Sequence, residues 1–146
     1  MIKYITKSPT ETRKLAEVLI KKFLKYNTEK AIIIALEGEL GAGKTTFVKG
    51  LAKALKIKAK VKSPTFTLIK SHKLQATSYK FLYHLDCYRI KDHRDLTILG
   101  IKEILNDPKN IVIIEWSDRV KKILPKNHIK IHIDHINKNT RKICVN

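Results

Sequence analysis

A glycine-rich stretch from Gly38 to Thr45 constrains this chain more than any other feature. Its residues, Gly-Glu-Leu-Gly-Ala-Gly-Lys-Thr, fit the phosphate-binding loop pattern of glycine, four residues, then Gly-Lys-Thr or Gly-Lys-Ser. The apolar run 31–36 precedes the loop, and a helix-compatible segment from Thr45 to Leu55 follows it. Strand, loop and helix in this order predict nucleotide binding, because glycines let backbone N–H groups turn toward phosphate oxygens at a helix N-terminus.

The last two residues of this loop have side chains suited to a nucleotide with a bound metal ion. We expect the Lys44 ammonium to reach the β- and γ-phosphates of a nucleotide. We expect the Thr45 hydroxyl to bind Mg²⁺. Hydrolysis would also need a carboxylate near the metal or near the attacking water.

Length and composition indicate a single domain over residues 1–146. Hydrophobic residues make up 43% of the 146 residues, and no Pro-, Ser- or Gly-rich tract, repeat or low-complexity block divides the chain. The N-terminal residues hold no uninterrupted apolar segment, and no stretch approaches the roughly 18 apolar residues of a membrane span. Cys87 and Cys144 lie far apart, so we expect buried thiols in a cytoplasmic protein rather than a disulfide or metal site.

The charge of the chain is strongly positive. Lysine and arginine number 31 against 13 aspartates and glutamates, a formal net charge of +18. A field of this size favours nucleic acid or acidic protein surfaces. The lysines are spread along the whole chain, and a biased genome composition would account for them equally well. Charge alone therefore leaves direct contact with RNA open.

Hydrophobic patterning predicts an α/β fold. A helix begins near Ser8-Pro9-Thr10-Glu11 and repeats apolar residues every four positions, and short helices between 96 and 105 are interrupted at Gly100. We expect a P-loop NTPase-like three-layer sandwich with a mostly parallel central sheet and an antiparallel C-terminal strand pair. The predicted strands cover 2–5, 32–36, 63–69, 81–86, 111–115, 129–133 and 141–145.

Two predicted strands end in acids, Asp86 and Glu115. Ligands of open α/β sheets bind beyond the carboxyl ends of strands, so both acids should lie at the edge that carries the loop. Either acid could bind Mg²⁺ or orient the attacking water, and the sequence leaves this assignment open.

Two further features could belong to the same site. Ser63-Pro64-Thr65 could sense a γ-phosphate as switch loops do, or could be an ordinary strand entry. Trp116, beside the second acid, could pack against a nucleotide or cover the core.

Together these segments resemble the bacterial TsaE family, formerly YjeE. The resemblance runs over nearly the whole chain and is most specific outside the loop. It rests on Gly38 to Thr46, Ser-Pro-Thr-Phe-Thr-Leu at 63–68, His-Leu-Asp-Cys-Tyr-Arg at 84–89, and Ile-Glu-Trp at 114–116.

The resemblance implies a small P-loop ATPase that binds ATP or ADP with Mg²⁺ and hydrolyses ATP slowly. It implies partnership with TsaB and TsaD in making threonylcarbamoyladenosine. TsaD transfers a threonylcarbamoyl group to the adenosine next to the anticodon of certain tRNAs. The contact of this chain with tRNA would then be indirect, through these partners, unless its charge adds a direct one.

The family's motif positions imply roles for individual residues. Asp86, Glu115 and Lys44 would be catalytic, with Thr45 and Glu115 on Mg²⁺ and Asp86 on the metal or the water. The nucleotide would be held by the loop, by Thr65 in a mobile switch, by Trp116, and near the adenine by Thr10 or Thr12. The loop residues implied to wrap the phosphates are Gly41, Ala42, Gly43, Lys44, Thr45 and Thr46.

Two other functions compete with this interpretation. A small-molecule kinase can be built on the same loop, but it usually needs positive groups from a lid, and no lid segment is evident. A non-catalytic nucleotide sensor or nucleic-acid-binding module would not need Asp86 and Glu115.

Overall fold

The centre of the fold is one twisted β-sheet with helices on both faces. The computed structural model describes residues 1–26, 28–64 and 67–146. Within these residues the sheet has seven strands, in the spatial order β1-β7-β6-β2-β5-β4-β3. The strands are β1 Ile2–Thr6, β2 Ile32–Glu37, β3 Ile69–Lys73, β4 Phe81–Asp86, β5 Asn110–Glu115, β6 Ile129–His135 and β7 Arg141–Val145.

The helices form in the segments that the apolar spacing indicates. The Ser8 hydroxyl caps the first of them by accepting a hydrogen bond from the Glu11 N–H at 3.1 Å, and Pro9 opens the helix. Gly100, with φ +78°, separates the third helix from the fourth. The helices are α1 Pro9–Phe23, α2 Lys44–Ala54, α3 Arg94–Ile98, α4 Ile101–Asn106 and a 3-10 helix Ser117–Ile123.

The sheet separates two apolar clusters. On β2, Ile32 and Ile34 face the cluster formed with α1 and α2, whereas Ile33 faces the cluster formed with α3 and α4. A strand covered on both faces is apolar throughout, which explains the uninterrupted runs in β2 and β5. The expected three-layer α/β sandwich is confirmed.

Strand directions confirm the predicted sheet and add to it. β2 pairs in parallel with β5 and β6, and β4 pairs in parallel with β5. The expected antiparallel C-terminal pair is β6 with β7. Two antiparallel pairs that were not expected complete the edges, β1 with β7 and β3 with β4.

The prediction of a strand from residue 63 to 69 is wrong at its start. β3 begins only at Ile69, and Leu68 has a left-handed backbone with φ +62°. A residue in that conformation turns the chain and ends regular pairing. The Leu68 carbonyl accepts instead from the Asp86 N–H at 3.0 Å, which ties this turn to the end of β4.

Helices α1 and α2 lie close together at Gly50. A Cβ at Gly50 would lie 2.3 Å from the Arg13 carbonyl oxygen and 2.8 Å from the Ala16 Cβ. The absent side chain therefore sets how closely α2, which begins at the loop, approaches α1.

Among the described residues, no helix is both long enough and apolar enough to cross a membrane.

Candidate functional site

A cavity of about 430 Å³ opens at the carboxyl edge of the central strands. It brings together most of the residues that the sequence singled out, from the loop, from β4 and from the end of β5. Those residues are Gly41, Ala42, Gly43, Lys44, Thr45, Thr46, Asp86, Glu115 and Trp116.

Two glycines let the loop turn from β2 into α2. Gly38 has φ +149°, and a Cβ there would lie 2.5 Å from the Ile133 carbonyl oxygen. Gly43 has φ +107° and precedes α2 without a side-chain cap. The first N–H groups of α2 have no carbonyl one turn earlier to accept from them, so they are available to an anion in the cavity.

Lys44 is held inside its own loop. Its Nζ donates to the carbonyl oxygens of Gly38 at 2.5 Å and Glu39 at 2.9 Å, and lies 4.1 Å from the centre of the Trp116 ring. Burial lowers the pKa of the Lys44 ammonium, while the charges of Glu115 and Asp86 oppose that shift. A cation that is already partly desolvated therefore faces the cavity.

The two predicted acids are cross-strand partners. Asp86 and Glu115 end the adjacent parallel strands β4 and β5 and stand opposite each other in the register. Both are buried, with 4% and 2% of the residue exposed. Their strands run in parallel, so both carboxylates reach the same edge beside the loop, as expected.

Glu115 makes contacts through both of its carboxylate oxygens. The Thr45 hydroxyl lies 3.4 Å from Glu115 Oε1, and the Ser63 hydroxyl lies 3.2 Å from Oε2. His84 Nε2 lies 3.1 Å from the same Oε1 as Thr45. Glu115 thus joins the loop, β4 and the segment that precedes β3.

Asp86 shares one of these neighbours. The Ser63 hydroxyl also hydrogen-bonds Asp86 Oδ2, and the Tyr88 N–H donates to Oδ1 at 2.9 Å. A hydroxyl donates only one hydrogen at a time, so Ser63 cannot serve both carboxylates fully. Two buried acids side by side favour a cation between them and the loop.

The hydroxyl and carboxylate oxygens of this cavity are of the kind that binds Mg²⁺. Hydroxyl and carboxylate oxygens are the ligands that Mg²⁺ takes in proteins, usually one or two of them together with water and phosphate oxygens. Among the described residues, no group of three His, Cys, Asp or Glu side chains is arranged to hold a metal by itself. A magnesium ion here would therefore depend on Thr45, an acid and a bound phosphate.

An aromatic wall closes one side of the cavity. Trp116 has a left-handed backbone with φ +57°, directly after Glu115. Its ring lies 4.9 Å from that of Tyr88, and the Arg119 guanidinium lies 5.3 Å from both rings. Trp116 lines the cavity and also packs against the apolar cluster formed with α3 and α4, so its position agrees with both alternatives.

Arg141, at the rim of the cavity, hydrogen-bonds the loop. Its Nε donates to the Ala42 carbonyl at 2.7 Å, and its Nη1 donates to the Asn137 carbonyl at 2.7 Å. The side chain therefore links the turn before β7 to the loop. Because Arg141 engages carbonyl oxygens of the loop, it does not compete for the N–H groups of the loop.

Two of the remaining predicted residues, Thr10 and Thr12, are described and are not in the lining of this cavity. Thr12 lines a small depression that also includes Thr46, but its hydroxyl is buried against Thr6 Oγ1 at 2.7 Å. Thr10 is exposed, accepts from Arg13 at 3.2 Å and is absent from both linings. Thr65 lies outside the described residues.

Cys87 is fully buried, Cys144 is half-buried, and both are free thiols. Of the two thiols that were expected to be buried, only Cys87 is. Burial, followed by the negative charge of Asp86, raises the pKa of the Cys87 thiol to about 12. Cys87 is therefore protonated beside the site and is no nucleophile.

Reasoning from the sequence missed His84 and the role of Arg141. His84 lies two residues before Asp86, so in a strand both side chains point to the same face. That spacing could have indicated that His84 lies beside the acids. No local pattern could have indicated Arg141, because its loop partners are about 100 residues away in the chain.

Comparisons with known proteins find relatives of one family. The family model described as "Threonylcarbamoyl adenosine biosynthesis protein TsaE" matches residues 6–143. The TsaE protein of Haemophilus influenzae is 41% identical over 123 residues, covering 84% of this chain and 73% of that protein. That of Aquifex aeolicus is 39% identical over 143 residues, covering 97% and 92%.

A solved structure is similar over almost the same length. The crystal structure of Bacillus subtilis YdiB superposes with a TM-score of 0.74 at 31% identity, covering 97% of this chain and 82% of that one. The family model and the relatives cover most of the chain, including the loop and both acids. This chain therefore belongs to the TsaE family of tRNA threonylcarbamoyladenosine biosynthesis proteins.

Proposed function

We propose that this protein is a Mg²⁺-dependent ATPase that acts with TsaB and TsaD in tRNA threonylcarbamoyladenosine biosynthesis. Membership of the TsaE family supports the pathway. One observation carries the activity: the Thr45 hydroxyl of a phosphate-binding loop lies 3.4 Å from the buried carboxylate of Glu115. A loop hydroxyl and a carboxylate at the end of a neighbouring strand are what Mg²⁺ needs beside a bound triphosphate.

Binding would use the loop and the first turn of α2. The N–H groups of residues 41–46 would surround the phosphates of ATP or ADP. Lys44 would exchange its two carbonyl partners, Gly38 and Glu39, for phosphate oxygens. Its lowered pKa reflects incomplete solvation, so an anionic partner would be favourable.

The two acids would divide the remaining work. Glu115, with Thr45, would hold Mg²⁺, which when bound neutralises charge on the β- and γ-phosphate oxygens. Asp86, fixed by the Tyr88 N–H, would orient the attacking water and accept its proton. Trp116 and Tyr88 would exclude bulk water from that side.

The arginines argue against the alternative of a small-molecule kinase. Arg141 is the arginine that lines the cavity in the described part of the chain, and it is engaged with carbonyls of the loop and of the turn before β7. Arg141 is therefore already engaged and is not free to clamp a second, acceptor substrate.

A lysine-lined surface supports an added, direct contact with tRNA. Two adjoining depressions share residues 56–59, and no acidic side chain is among the residues that line them. Lys53 pairs with Glu17 at 3.2 Å, whereas no carboxylate pairs with the other four lysines within the described residues. Unpaired ammonium groups along a concave surface suit a phosphate backbone. The lining lysines are Lys49, Lys53, Lys56, Lys58 and Lys73.

The deciding experiment measures ATP hydrolysis by this protein alone and with TsaB and TsaD, with tRNA modification as a second readout. We expect slow phosphate release that requires Mg²⁺ and rises with the partners. Transfer of the phosphoryl group to an added metabolite would instead identify a kinase. Nucleotide binding without hydrolysis under any of these conditions would identify a sensor.

A further inference from the structure

The Glu115 carboxylate is held by a histidine that neither the loop pattern nor the acids would suggest. His84 Nε2 lies 3.1 Å from Glu115 Oε1, the oxygen that also faces the Thr45 hydroxyl at 3.4 Å. An ionised carboxylate only accepts hydrogen bonds, so the His84 ring donates from Nε2. The side chains of His84 and Glu115 are 1% and 3% exposed, so water does not compete for this contact.

The sheet register explains why these two residues meet. His84 stands opposite Ile113 on the parallel strands β4 and β5, and Glu115 lies two residues beyond Ile113 on the same face. Both strands form the middle of the sheet rather than an edge. The direction of the histidine N–H is therefore determined by rigid backbone and not by a loop.

The histidine itself has an unfavourable position for a purely structural residue. Its other ring nitrogen, Nδ1, is buried without a hydrogen-bond partner among the described residues. Its strand neighbours Leu82 and Leu85 are fully buried and apolar. A leucine would bury no unpaired polar atom here, so the contribution of His84 is its Nε2 hydrogen bond to Glu115.

We propose that His84 is a positioning residue that holds the Glu115 carboxylate in the orientation needed for Mg²⁺. The inference rests on the proposed Mg²⁺-dependent ATPase function and deepens it. Oε1 is shared by His84 and Thr45, so the histidine turns one carboxylate oxygen toward the loop hydroxyl that would share the metal. Hydrogen-bond partners behind a metal-binding carboxylate orient it, and their loss weakens the metal site.

Substitutions of His84 test this orientation. His84→Leu removes the hydrogen-bond donor. His84→Gln keeps a donor, because its amide nitrogen is as many bonds from Cα as Nε2 of histidine. His84→Asn also keeps an amide, but its N–H stops one bond short. We expect His84→Leu and His84→Asn to raise the Mg²⁺ concentration needed for half-maximal ATP binding by about 10- to 100-fold, and His84→Gln by much less.

The readout is binding and needs no turnover. Trp116 is the only tryptophan of the sequence and lies against Lys44, so its fluorescence reports ATP binding as Mg²⁺ is added. Calorimetric titration with ATP in EDTA measures the affinity without metal, which we expect to change less than about twofold. His72→Leu is the matched control, since His72 is a buried histidine of the neighbouring strand β3. We expect the Mg²⁺ requirement of His72→Leu to equal that of the wild type.

The outcomes are distinct. Wild-type protein in which neither the binding nor the hydrolysis of ATP depends on Mg²⁺ overturns both the proposed function and this inference. Wild-type protein that needs Mg²⁺ for hydrolysis but not for binding overturns the inference alone. A Mg²⁺-dependent wild type with an unchanged requirement in folded His84→Leu overturns the inference alone. If His84→Leu does not fold, the comparison of His84→Gln with His84→Asn decides, and equal Mg²⁺ requirements in the two overturn it.

Discussion

At the scale of single residues, Lys44 is a buried cation whose hydrogen-bond partners are carbonyls of its own loop. The residue is 6% exposed, and its ammonium donates hydrogen bonds to the carbonyls of Gly38 and Glu39. The loop is therefore stabilised by the same group that would meet the phosphates. Such an arrangement keeps the lysine in place without a ligand. It also means that ATP competes with two hydrogen bonds of the loop for this cation.

The first prediction concerns Lys44→Ala. We expect ATP affinity to fall by about 10- to 100-fold or more, because charge-assisted hydrogen bonds to the phosphates contribute roughly 1.5–3 kcal/mol. Isothermal titration calorimetry with ATP and Mg²⁺ measures the change. Lys126→Ala, which alters an exposed lysine outside the cavity, is the control. Unchanged affinity in Lys44→Ala would mean that the lysine does not contact the nucleotide.

The second prediction concerns Glu115→Gln. The amide keeps the shape of the side chain but removes its charge, so we expect Mg²⁺-dependent turnover to fall on the order of 10²-fold. Binding of ATP in EDTA should change little. The control is Asp134→Asn. Asp134 on β6 pairs with Lys142 on β7 at 2.9 Å, and both strands lie on the opposite side of β2 from β5 and β4. Equal loss of turnover and of metal-free binding would indicate a role in nucleotide binding or in folding instead.

At the scale of elements, most boundaries followed from patterning. The strand from Phe81 to Asp86 and the break between short helices at Gly100 are where the sequence indicated them. The strand expected from residue 63 was wrong because Leu68 takes a left-handed turn before Ile69. β-branched residues in that segment favour a strand, and the left-handed backbone of Leu68 overrides this local preference.

The third prediction concerns the packing of α1 against α2. Gly50→Ala should favour an isolated helix by about 1 kcal/mol. In the protein the new methyl group would meet the Arg13 carbonyl and the Ala16 side chain, a backbone clash that costs about 1–3 kcal/mol. We expect a net loss of stability and a Tm lower on the order of 5 °C.

Thermal denaturation followed by circular dichroism measures this change. The matched control is Lys49→Ala, at the neighbouring exposed position of α2, where better helix propensity should leave Tm unchanged or raise it slightly. A stabilised Gly50→Ala protein would show that the two helices separate at no cost.

At the scale of the whole molecule, the fold brings together some of the lysines that give the chain its net charge of +18. The lysines are scattered in sequence, but the fold gathers Lys49, Lys58 and Lys73 from α2, the segment after it and β3 into two adjoining depressions. Neither depression shares a lining residue with the cavity that holds the acids. It gives the proposed contact with tRNA a specific surface that variants can alter without touching the nucleotide site.

The fourth prediction concerns this surface. We expect the triple variant Lys49→Gln, Lys58→Gln, Lys73→Gln to bind tRNA more weakly, with the slope of log Kobs against log[salt] reduced by about 2 to 3. Its ATP hydrolysis without tRNA should be unchanged. Fluorescence anisotropy with labelled tRNA over a range of salt concentrations measures the slope.

A charge-matched variant distinguishes tRNA binding at this surface from attraction by the net charge of the protein. Exposed lysines of another region are changed in Lys121→Gln, Lys122→Gln, Lys126→Gln, which removes the same three charges. If both triple variants lose the same affinity, the net charge alone attracts tRNA. If the Lys49, Lys58 and Lys73 variant keeps its tRNA affinity but loses binding to an acidic protein, the surface instead belongs to a protein partner.

The sequence by itself determined the phosphate-binding loop, the order of most strands and helices, the placement of Asp86 and Glu115 at strand ends, and the family. These are local: a loop pattern, an apolar run or an acid after a strand can be recognised within a few residues. Only the tertiary structure decided that His84 and Thr45 share one oxygen of Glu115, across separations of 31 and 70 residues. Such contacts depend on strand register and crossover connections, which bring distant segments together after the local structure has formed.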